Sequence, residues 1–333
     1  MTAHGGDIAA AARRWGIPAG EWLDLSTGIN PVPWPVPRPP ESVWHRLPDD
    51  DGRLEAAAAD YYGTDQLLAV PGSQAAIQAL PTALDARGWR VGITHPGYAE
   101  HAAAWSAAGC EVVPVPPEGP ADLHGLDALV VIQPNNPTGA TIPAERLAAW
   151  RESLAARGGW LVIDAAFADS GEGPTGTEEV GAPGLVVLRS VGKFFGLAGI
   201  RLGFALAPPG VRRTLAEQMG PWSVSGPARW AGAGALADTA WQAEARARLT
   251  ADSARLAGLL RDADLPPAGS TPLFQYVETE RAVAVEEALA RRAIRVRRFD
   301  HPPALRFGLP GAEVDWQRLT IALQEITPEE IAP

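Results

Sequence analysis

The stretch "VLRSVGKFFGLAGIRLGF" at residues 187–204 contains side chains whose types and spacing suit covalent chemistry. A buried strand is predicted to end at Ser190, and Lys193 follows among glycines and aromatic residues, eight residues before Arg201. A solvated lysine would not need such apolar neighbours. In a partly desolvated pocket, a lysine has a pKa below its usual value of about 10.4, and its amine can attack a carbonyl group. Ser190 and Arg201 flank this lysine and could hold an anion.

A second candidate lies in "VPGSQAA", where Gly72, Ser73 and Gln74 connect a short strand to a helix. The first backbone N–H groups of a helix lack partners within the helix and carry partial positive charge. Such a turn therefore suits a phosphate group. A serine that only caps the helix is the alternative explanation.

Polar side chains follow two further predicted strands. Asn135 and Asn136 lie in "QPNNPTGA", where they would face a ligand at a strand end, although Asn-Pro and Thr-Gly also make a tight turn by themselves. Asp164 ends "LVID", and a carboxylate is seldom buried among apolar residues unless it is paired. Asp164 is therefore expected to cap a helix, to form a salt bridge or to pair with a buried cation.

These residues need a scaffold, and the sequence predicts an α/β domain for it. From about residue 52, predicted helices alternate with predicted strands. The strands cover residues 67–70, 89–94, 110–115, 128–133, 160–164, 184–190 and 202–207. They are uniformly apolar, which is typical of a parallel or mixed sheet with helices on both faces. In such sheets, ligands bind at the carboxyl ends of the strands.

The remainder of the chain predicts a smaller α+β domain and an N-terminal arm. After a long helical stretch at 226–263, strands are predicted at 273–278, 294–299 and 304–309, and helices at 280–291 and 312–325. The proline-rich segment 30–41 is expected to be extended. We therefore predict an arm at 1–45 that joins the small domain and the site entrance, a large domain at 46–225, and a linking helix with the small domain at 226–333.

Composition excludes several classes of function. The chain has 333 residues, 46% of them apolar, with a formal net charge of −11, so a nucleic-acid partner is not expected. Cys110 is the single cysteine, and no HExxH spacing occurs, so neither a disulfide within the chain nor a metal site is predicted. No signal peptide or 18-residue apolar span is found. We expect a cytoplasmic protein without a membrane partner.

The order of the motifs, from phosphate turn to amide pair, aspartate, lysine and arginine, resembles the fold type I pyridoxal-phosphate enzymes of the class I/II aminotransferase superfamily. The resemblance implies pyridoxal 5'-phosphate as cofactor and a large domain with a mostly parallel sheet. Lys193 matches the lysine that binds this cofactor covalently, Asp164 the partner of the pyridinium nitrogen, and Asn136 the partner of the phenolate oxygen. The other matching cofactor-binding residues are Gly72, Ser73, Gln74, Tyr98, Ser190 and Arg201.

Three stretches narrow the resemblance further: "AHGGDIAAAARRWGI", "WLDLSTGINPVPWP" and "EQMGPWSVSGPA". They are similar to the L-threonine-O-3-phosphate decarboxylases of cobalamin biosynthesis, which implies a lyase, a phosphorylated amino acid substrate and a homodimer. The expected substrate-binding residues are His4, Gly28, Asn30, Arg297 and Arg306. For His4 the alternative is a terminus without a role, and for Arg297 a solvated charge on an edge strand. A histidinol-phosphate-type aminotransferase and an inactive cofactor-binding partner protein are the alternative functions.

Two positions depart from the pattern of these relatives. Phe167 stands where many aminotransferases have a tyrosine that hydrogen-bonds the phenolate oxygen. Leu47 stands where relatives often have a tyrosine that reaches the cofactor phosphate of the partner subunit. That contact between subunits is therefore in question for this chain.

Overall fold

The computed structural model describes residues 5–48, 51–171, 173–327 and 330. Its helices are α1 Ile8–Trp15, α2 Ser42–His45, α3 Arg53–Tyr62, α4 Ser73–Ala83, α5 Ala99–Ala107, α6 Ala144–Ala155, α7 Pro209–Met219, α8 Gly226–Ala237, α9 Thr239–Asp262, α10 Ala282–Arg291 and α11 Glu313–Glu325. Its strands are β1 Leu23–Asp24, β2 Leu67–Val70, β3 Arg90–Thr94, β4 Glu111–Val115, β5 Ala128–Ile132, β6 Trp160–Asp164, β7 Leu185–Ser190, β8 Gly203–Leu206, β9 Gly269–Thr271, β10 Phe274–Glu278, β11 Ile294–Arg295, β12 Arg297–Asp300 and β13 Pro303–Gly308.

Backbone contacts divide the described residues into two compact units. The larger unit contains 33–136 and 140–243. The smaller unit contains the described residues up to Val32, Pro137–Gly139, and those from Glu244 onward. The predicted domain boundaries near residues 45 and 225 stay a prediction.

A seven-stranded sheet forms the centre of the larger unit. Its strand order is β2-β8-β7-β6-β5-β3-β4, and β8 runs antiparallel to both of its neighbours. Every residue of β5 and β7 is buried, as uniformly apolar strands covered on both faces require. Helices α4, α5 and α7 pack on a core that includes Ile77, Trp105 and Leu215. The expected α/β fold with a mostly parallel sheet is confirmed.

The smaller unit contains a four-stranded antiparallel sheet and a short parallel pair. The sheet order is β12-β13-β10-β9, and β1 pairs in parallel with β11. The predicted strand at 294–299 is therefore two strands, because β11 pairs with β1 whereas β12 pairs with β13. Helix α10 packs beside β11, β12 and β13.

The predicted helical stretch at 226–263 is also interrupted. Asp238 leaves the helical conformation with φ −87° and ψ 77°. One of its carboxylate oxygens accepts a hydrogen bond from the backbone N of Trp241 at 3.0 Å, as a helix N-cap does. The other accepts from the indole nitrogen of Trp34 at 3.0 Å, which fastens the proline-rich segment. No helix within the described part of the chain is long and apolar enough to cross a membrane.

Candidate active site

The strand-end residues predicted from the sequence converge at one edge of the larger unit's sheet. Ile132 at the end of β5 lies opposite Asp164 at the end of β6. Ser190 at the end of β7 lies opposite Gly203, which also lies opposite Val70 at the end of β2. Because β8 runs the other way, it begins at this edge, and Arg201 just before it is brought to the same place.

The backbone packs closely around the turn at Gly72, forming a cradle with Ser73, Ser190 and Arg201. Gly72 has φ +78°, a conformation that disfavours residues with a β-carbon, and a β-carbon there would lie 2.5 Å from Nη2 of Arg201. A β-carbon on Gly203 would lie 2.6 Å from the backbone N of Ser73 at the start of α4. A guanidinium group thus lies beside helical N–H groups, which is an arrangement suited to a phosphate.

Asp164 is buried and held on both of its carboxylate oxygens. Oδ1 accepts a hydrogen bond from the backbone N of Ala166 at 3.1 Å, and Oδ2 lies 2.9 Å from Nε2 of His101. His101 is buried as well. The carboxylate is therefore fixed in direction at the end of β6.

His101 was not singled out from the sequence, although a signal for it exists. It lies four residues before Trp105 in α5, so both side chains are on the face that α5 buries. A polar residue on a buried helical face needs a partner, and here that partner is Asp164.

The two predicted asparagines have different environments. Asn135 is fully buried, and its Nδ2 donates to the carbonyl oxygen of Pro96 at 3.0 Å. Its backbone N donates to the carbonyl oxygen of Ala140 at 2.8 Å, which closes the turn. Asn136 is only half-buried. Asn135 therefore stabilises the turn, whereas a role of Asn136 in ligand binding stays a prediction.

Lys193 follows β7 in a segment whose aromatic residues are buried. Phe194 and Phe195 are fully buried, whereas Lys193 itself is half-buried. Its Nζ lies 5.5 Å from the ring centre of Phe167. Lys193 is also the only lysine among the 333 residues of the chain. Any chemistry that requires a lysine amine therefore has one possible residue.

Tyr98 lies at the N-terminus of α5, and its hydroxyl donates to Oε1 of Gln74 at 3.0 Å. Burial raises the pKa of Tyr98 to about 12, with a further contribution from the negative charges of Glu100 and Asp164. The hydroxyl is therefore protonated at neutral pH, and its ring is tied to the phosphate turn.

The predicted substrate residues lie in the smaller unit, where two arginines face each other. Arg297 on β12 is directly opposite Arg306 on β13, and like charges across a ladder disfavour each other. Burial lowers the pKa of Arg306 to about 10, Arg297 adds to this shift, and Asp24 opposes it. Burial, and then the charge of Arg295, also lowers the pKa of Arg297. An anion beside this pair would relieve the repulsion.

The neighbouring arginines differ from this pair. Nη1 of Arg295 and Nη1 of Arg298 donate to the two carboxylate oxygens of Glu286, at 2.8 and 2.9 Å. Glu286 is buried, and Arg298 also contacts Asp300 at 3.1 Å. Arg295 and Arg298 are thus balanced by carboxylates of the protein itself. Arg297 lies between them in the chain but faces Arg306.

The other predicted substrate residues adjoin β13. Nη2 of Arg306 donates to the carbonyl oxygen of Ser26 at 2.7 Å, and the backbone N of Gly308 donates to that of Leu25 at 2.7 Å. The segment that contains Gly28 and Asn30 continues from there, and both residues are buried. Oδ1 of Asn30 accepts from the backbone N of Val32 at 3.0 Å, so this amide also shapes the turn. His4 lies outside the described residues.

Known proteins resemble the chain over nearly its whole length. The family described as "Aminotransferase class I and II" matches residues 41–331. The chain belongs to this family. Its relatives include a threonine-phosphate decarboxylase from Pseudomonas aeruginosa, which is 50% identical to this chain over 97% of each protein. One of the same name from a Sinorhizobium species is 42% identical over 96% of this chain and 97% of the other. A histidinol-phosphate aminotransferase from Granulibacter bethesdensis is 32% identical over 85% and 79%.

Several solved structures have the same fold as this chain. The L-threonine-O-3-phosphate decarboxylase from Porphyromonas gingivalis has a TM-score of 0.74 at 20% identity, over 90% of this chain and 98% of that one. The histidinol-phosphate aminotransferase from Sinorhizobium meliloti, solved in complex with pyridoxal-5'-phosphate, has a TM-score of 0.78 at 21% identity, over 97% and 94%. The fold is therefore common to both activities and does not choose between them.

Proposed function

We propose that this protein is a pyridoxal-phosphate-dependent lyase. It decarboxylates L-threonine O-3-phosphate to (R)-1-aminopropan-2-yl phosphate and CO2, a step of cobalamin biosynthesis. The observation that carries the proposal is the 50% identity over nearly the full length to a threonine-phosphate decarboxylase. The histidinol-phosphate aminotransferase above is more distant, at 32% identity.

The residues at the sheet edge fit the cofactor. The cradle at Gly72 combines a guanidinium group with helical N–H groups, which supports a role in binding the cofactor phosphate. Asp164 supplies a buried carboxylate, which raises the pKa of a neighbouring ring nitrogen and so keeps it protonated. When bound, pyridoxal phosphate supplies an electron sink for the bond that breaks at the substrate's alpha carbon.

In this proposal each side chain of the sheet edge has one task. Lys193 would hold the cofactor and would then serve as the acid or base at the alpha carbon, and Asn136 would hydrogen-bond the ring oxygen. Tyr98 stacks on the ring, and His101 fixes the direction of Asp164 through the 2.9 Å contact. Ser73, the N–H of Gln74, Ser190 and Arg201 hold the phosphate.

Arg297 and Arg306 are proposed to bind the anionic groups of the substrate, with Gly28, Asn30 and His4 as further contacts. Threonine phosphate carries a carboxylate and a phosphate of about −1.5 to −2 charges at pH 7. Two arginines with depressed pKa values gain from a nearby anion, and each guanidinium can bind two oxygens at once. A fixed phosphate also orients the carboxylate, and this orientation decides whether decarboxylation or transamination follows.

The assay that tests the function uses the cofactor-loaded protein with threonine phosphate and measures CO2. We expect stoichiometric CO2 and aminopropanol phosphate without any keto acid. A parallel reaction contains histidinol phosphate and 2-oxoglutarate. Glutamate formation from histidinol phosphate, with no CO2 from threonine phosphate, would indicate an aminotransferase. Absence of product in both reactions would favour an inactive partner protein.

We also propose that the protein is a cytoplasmic homodimer. Trp44, Leu47 and Trp222 of the larger unit are 63%, 62% and 58% exposed, which is unusual for such large apolar side chains. Leu47 also lines a cavity of about 560 Å³ together with Trp34, Arg46 and Arg229. A second copy that covers these side chains would remove them from water. Sedimentation at micromolar concentration should give a dimer, and a 35.0 kDa monomer would contradict it.

A further inference from the structure

A chain of two hydrogen bonds connects three side chains of the larger unit that the cofactor-binding roles above leave unexplained. Nε2 of Gln74 donates to Oε2 of Glu100 at 2.8 Å. Oε1 of the same amide accepts the proton of the Tyr98 hydroxyl at 3.0 Å. Gln74 lies in the first turn of α4, and Glu100 lies in the first turn of α5. These two hydrogen bonds therefore connect the turn at Gly72 to Tyr98, the residue just before α5.

The donor and acceptor groups of the three side chains set the direction of both hydrogen bonds. An ionised carboxylate only accepts hydrogen bonds, so Glu100 selects the NH2 side of the Gln74 amide. The carbonyl side must then face Tyr98, and the hydroxyl must donate to it. Serine, alanine or leucine at position 74 would supply the same backbone N–H to a phosphate but could not make this connection.

We propose that Gln74 is a positioning residue, whose side chain holds the Tyr98 ring in place above the cofactor while Glu100 fixes the orientation of the Gln74 amide. This inference rests on the proposed function, because it gives the ring a cofactor to cover. Gln74 thereby has two independent roles: its backbone faces the phosphate, and its side chain orients the aromatic residue.

Two observations support a positioning role over a surface contact. Tyr98, Gln74 and Glu100 are all partly buried, so their hydrogen bonds are shielded from competing water. Burial and the charge of Glu100 hold the pKa of Tyr98 near 12, so the hydroxyl keeps the proton that it donates to Gln74. The Tyr98 hydroxyl is thus available as the donor that ties the ring to Gln74.

A double-mutant cycle tests the proposal on the cofactor-loaded protein. The variants are Gln74→Leu, Tyr98→Phe and both together. Leucine keeps the backbone N–H at position 74, and phenylalanine keeps the ring at position 98. Gln78→Leu is the matched control, since it makes the same change in the same helix at an exposed residue. The readouts are the rate of cofactor release, the circular dichroism of the bound cofactor, and kcat with threonine phosphate.

We expect each single variant to release the cofactor about fivefold faster, because both variants break the hydrogen bond between Gln74 and Tyr98 that orients the ring. The double variant should also be about fivefold faster, because both changes break the same connection. The dichroism should fall by the same amount in all three, and Gln78→Leu should match the wild type. Glu100→Gln should have a smaller effect alone and none in the Gln74→Leu background.

The proposal is overturned if Gln74→Leu behaves like Gln78→Leu, or if the two single effects multiply to about 25-fold in the double variant. Its failure is distinct from failure of the proposed function. If the loaded wild type releases no CO2 from threonine phosphate, the function is wrong, and the cycle in cofactor release still decides the role of Gln74.

Discussion

The larger unit and the smaller unit present their candidate functional residues in different ways. In the larger unit, Asp164 and Ser190 are the last residues of neighbouring strands, and Ser73 is the first residue of a helix. Backbone topology alone brings them to one edge. In the smaller unit, Arg295, Arg297 and Arg298 lie on two short strands with similar sequence surroundings, and strand position does not distinguish them.

In the smaller unit, only the structure shows what each arginine contacts. Glu286 binds Arg295 and Arg298, whereas Arg297 is in register with Arg306. Polar residues at the ends of apolar strands can be recognised from the sequence alone. The carboxylate contacts of Arg295 and Arg298 with Glu286, in contrast, cannot be read from the sequence.

Loss of the single lysine is expected to have the largest effect in the larger unit. Lys193→Ala should lower turnover at least about a thousandfold, within the range that a positioned proton-transfer group contributes. Borohydride reduction followed by mass spectrometry should find the cofactor on Lys193 in the wild type and on no residue of the variant. A variant with near-wild-type turnover would contradict the role of this residue.

The next effect concerns the carboxylate at the sheet edge. Asp164→Asn should keep the cofactor but lose about a hundredfold in turnover, because a neutral amide no longer favours the protonated ring nitrogen. Cofactor content by absorbance and turnover by CO2 release are measured on the same sample. Loss of the cofactor together with activity would point instead to a structural role for Asp164.

The arginines of the smaller unit provide the next test of the comparison. Arg306→Ala should lower kcat/KM for threonine phosphate at least about tenfold, equivalent to roughly 1.4 kcal/mol of transition-state stabilisation. Arg298→Ala is the matched control, because its guanidinium is ion-paired with Glu286 and Asp300. It should change kcat/KM less than about twofold. Equal losses of kcat/KM in Arg306→Ala and Arg298→Ala would contradict a specific role of Arg306 in substrate binding.

Substitution of Glu286 is expected to affect stability and to have the smallest effect on catalysis. Glu286→Gln leaves the guanidinium groups of Arg295 and Arg298 without their shared charge partner, which should lower the free energy of unfolding by about 2 kcal/mol. Urea unfolding measures this change. Glu313→Gln is the control, since its pair with Arg255 is largely exposed and should add little stability. If both variants unfold at the same urea concentration as the wild type, the buried pairing does not stabilise the unit.

The sequence predicted the larger unit well because its strands are uniformly apolar and bounded by turns. The boundaries of β2, β6 and β7 lie within one residue of their predicted positions. Helices α1, α2 and α7 and strands β1 and β9 were missed. Strands β1 and β9 are only two and three residues long, and β1 forms by pairing with the distant β11. The breaks at Asp238 and Val296 depend on a side-chain cap and on a change of partner strand. Neither is visible in apolar periodicity.

Within the site, the roles of single atoms were harder to predict than the residues. The pair Asn135–Asn136 was recognised, but only the contact with Pro96 assigns Asn135 to the turn. His101 and the side chain of Gln74 were not singled out, because their partners are distant in sequence or belong to another helix.

We propose that Arg297 and Arg306 bind the anionic groups of the substrate, and that the substrate phosphate directs the reaction to decarboxylation. The most direct test compares kcat/KM for CO2 release from threonine phosphate and from free threonine, in the wild type and in Arg306→Ala. We expect the wild type to prefer the phosphorylated substrate by at least about a hundredfold and Arg306→Ala to lose most of that preference, because a remote binding group contributes to the rate only while its partner is present. Equal reaction of both substrates in the wild type, or an unchanged preference in the variant, would contradict the account.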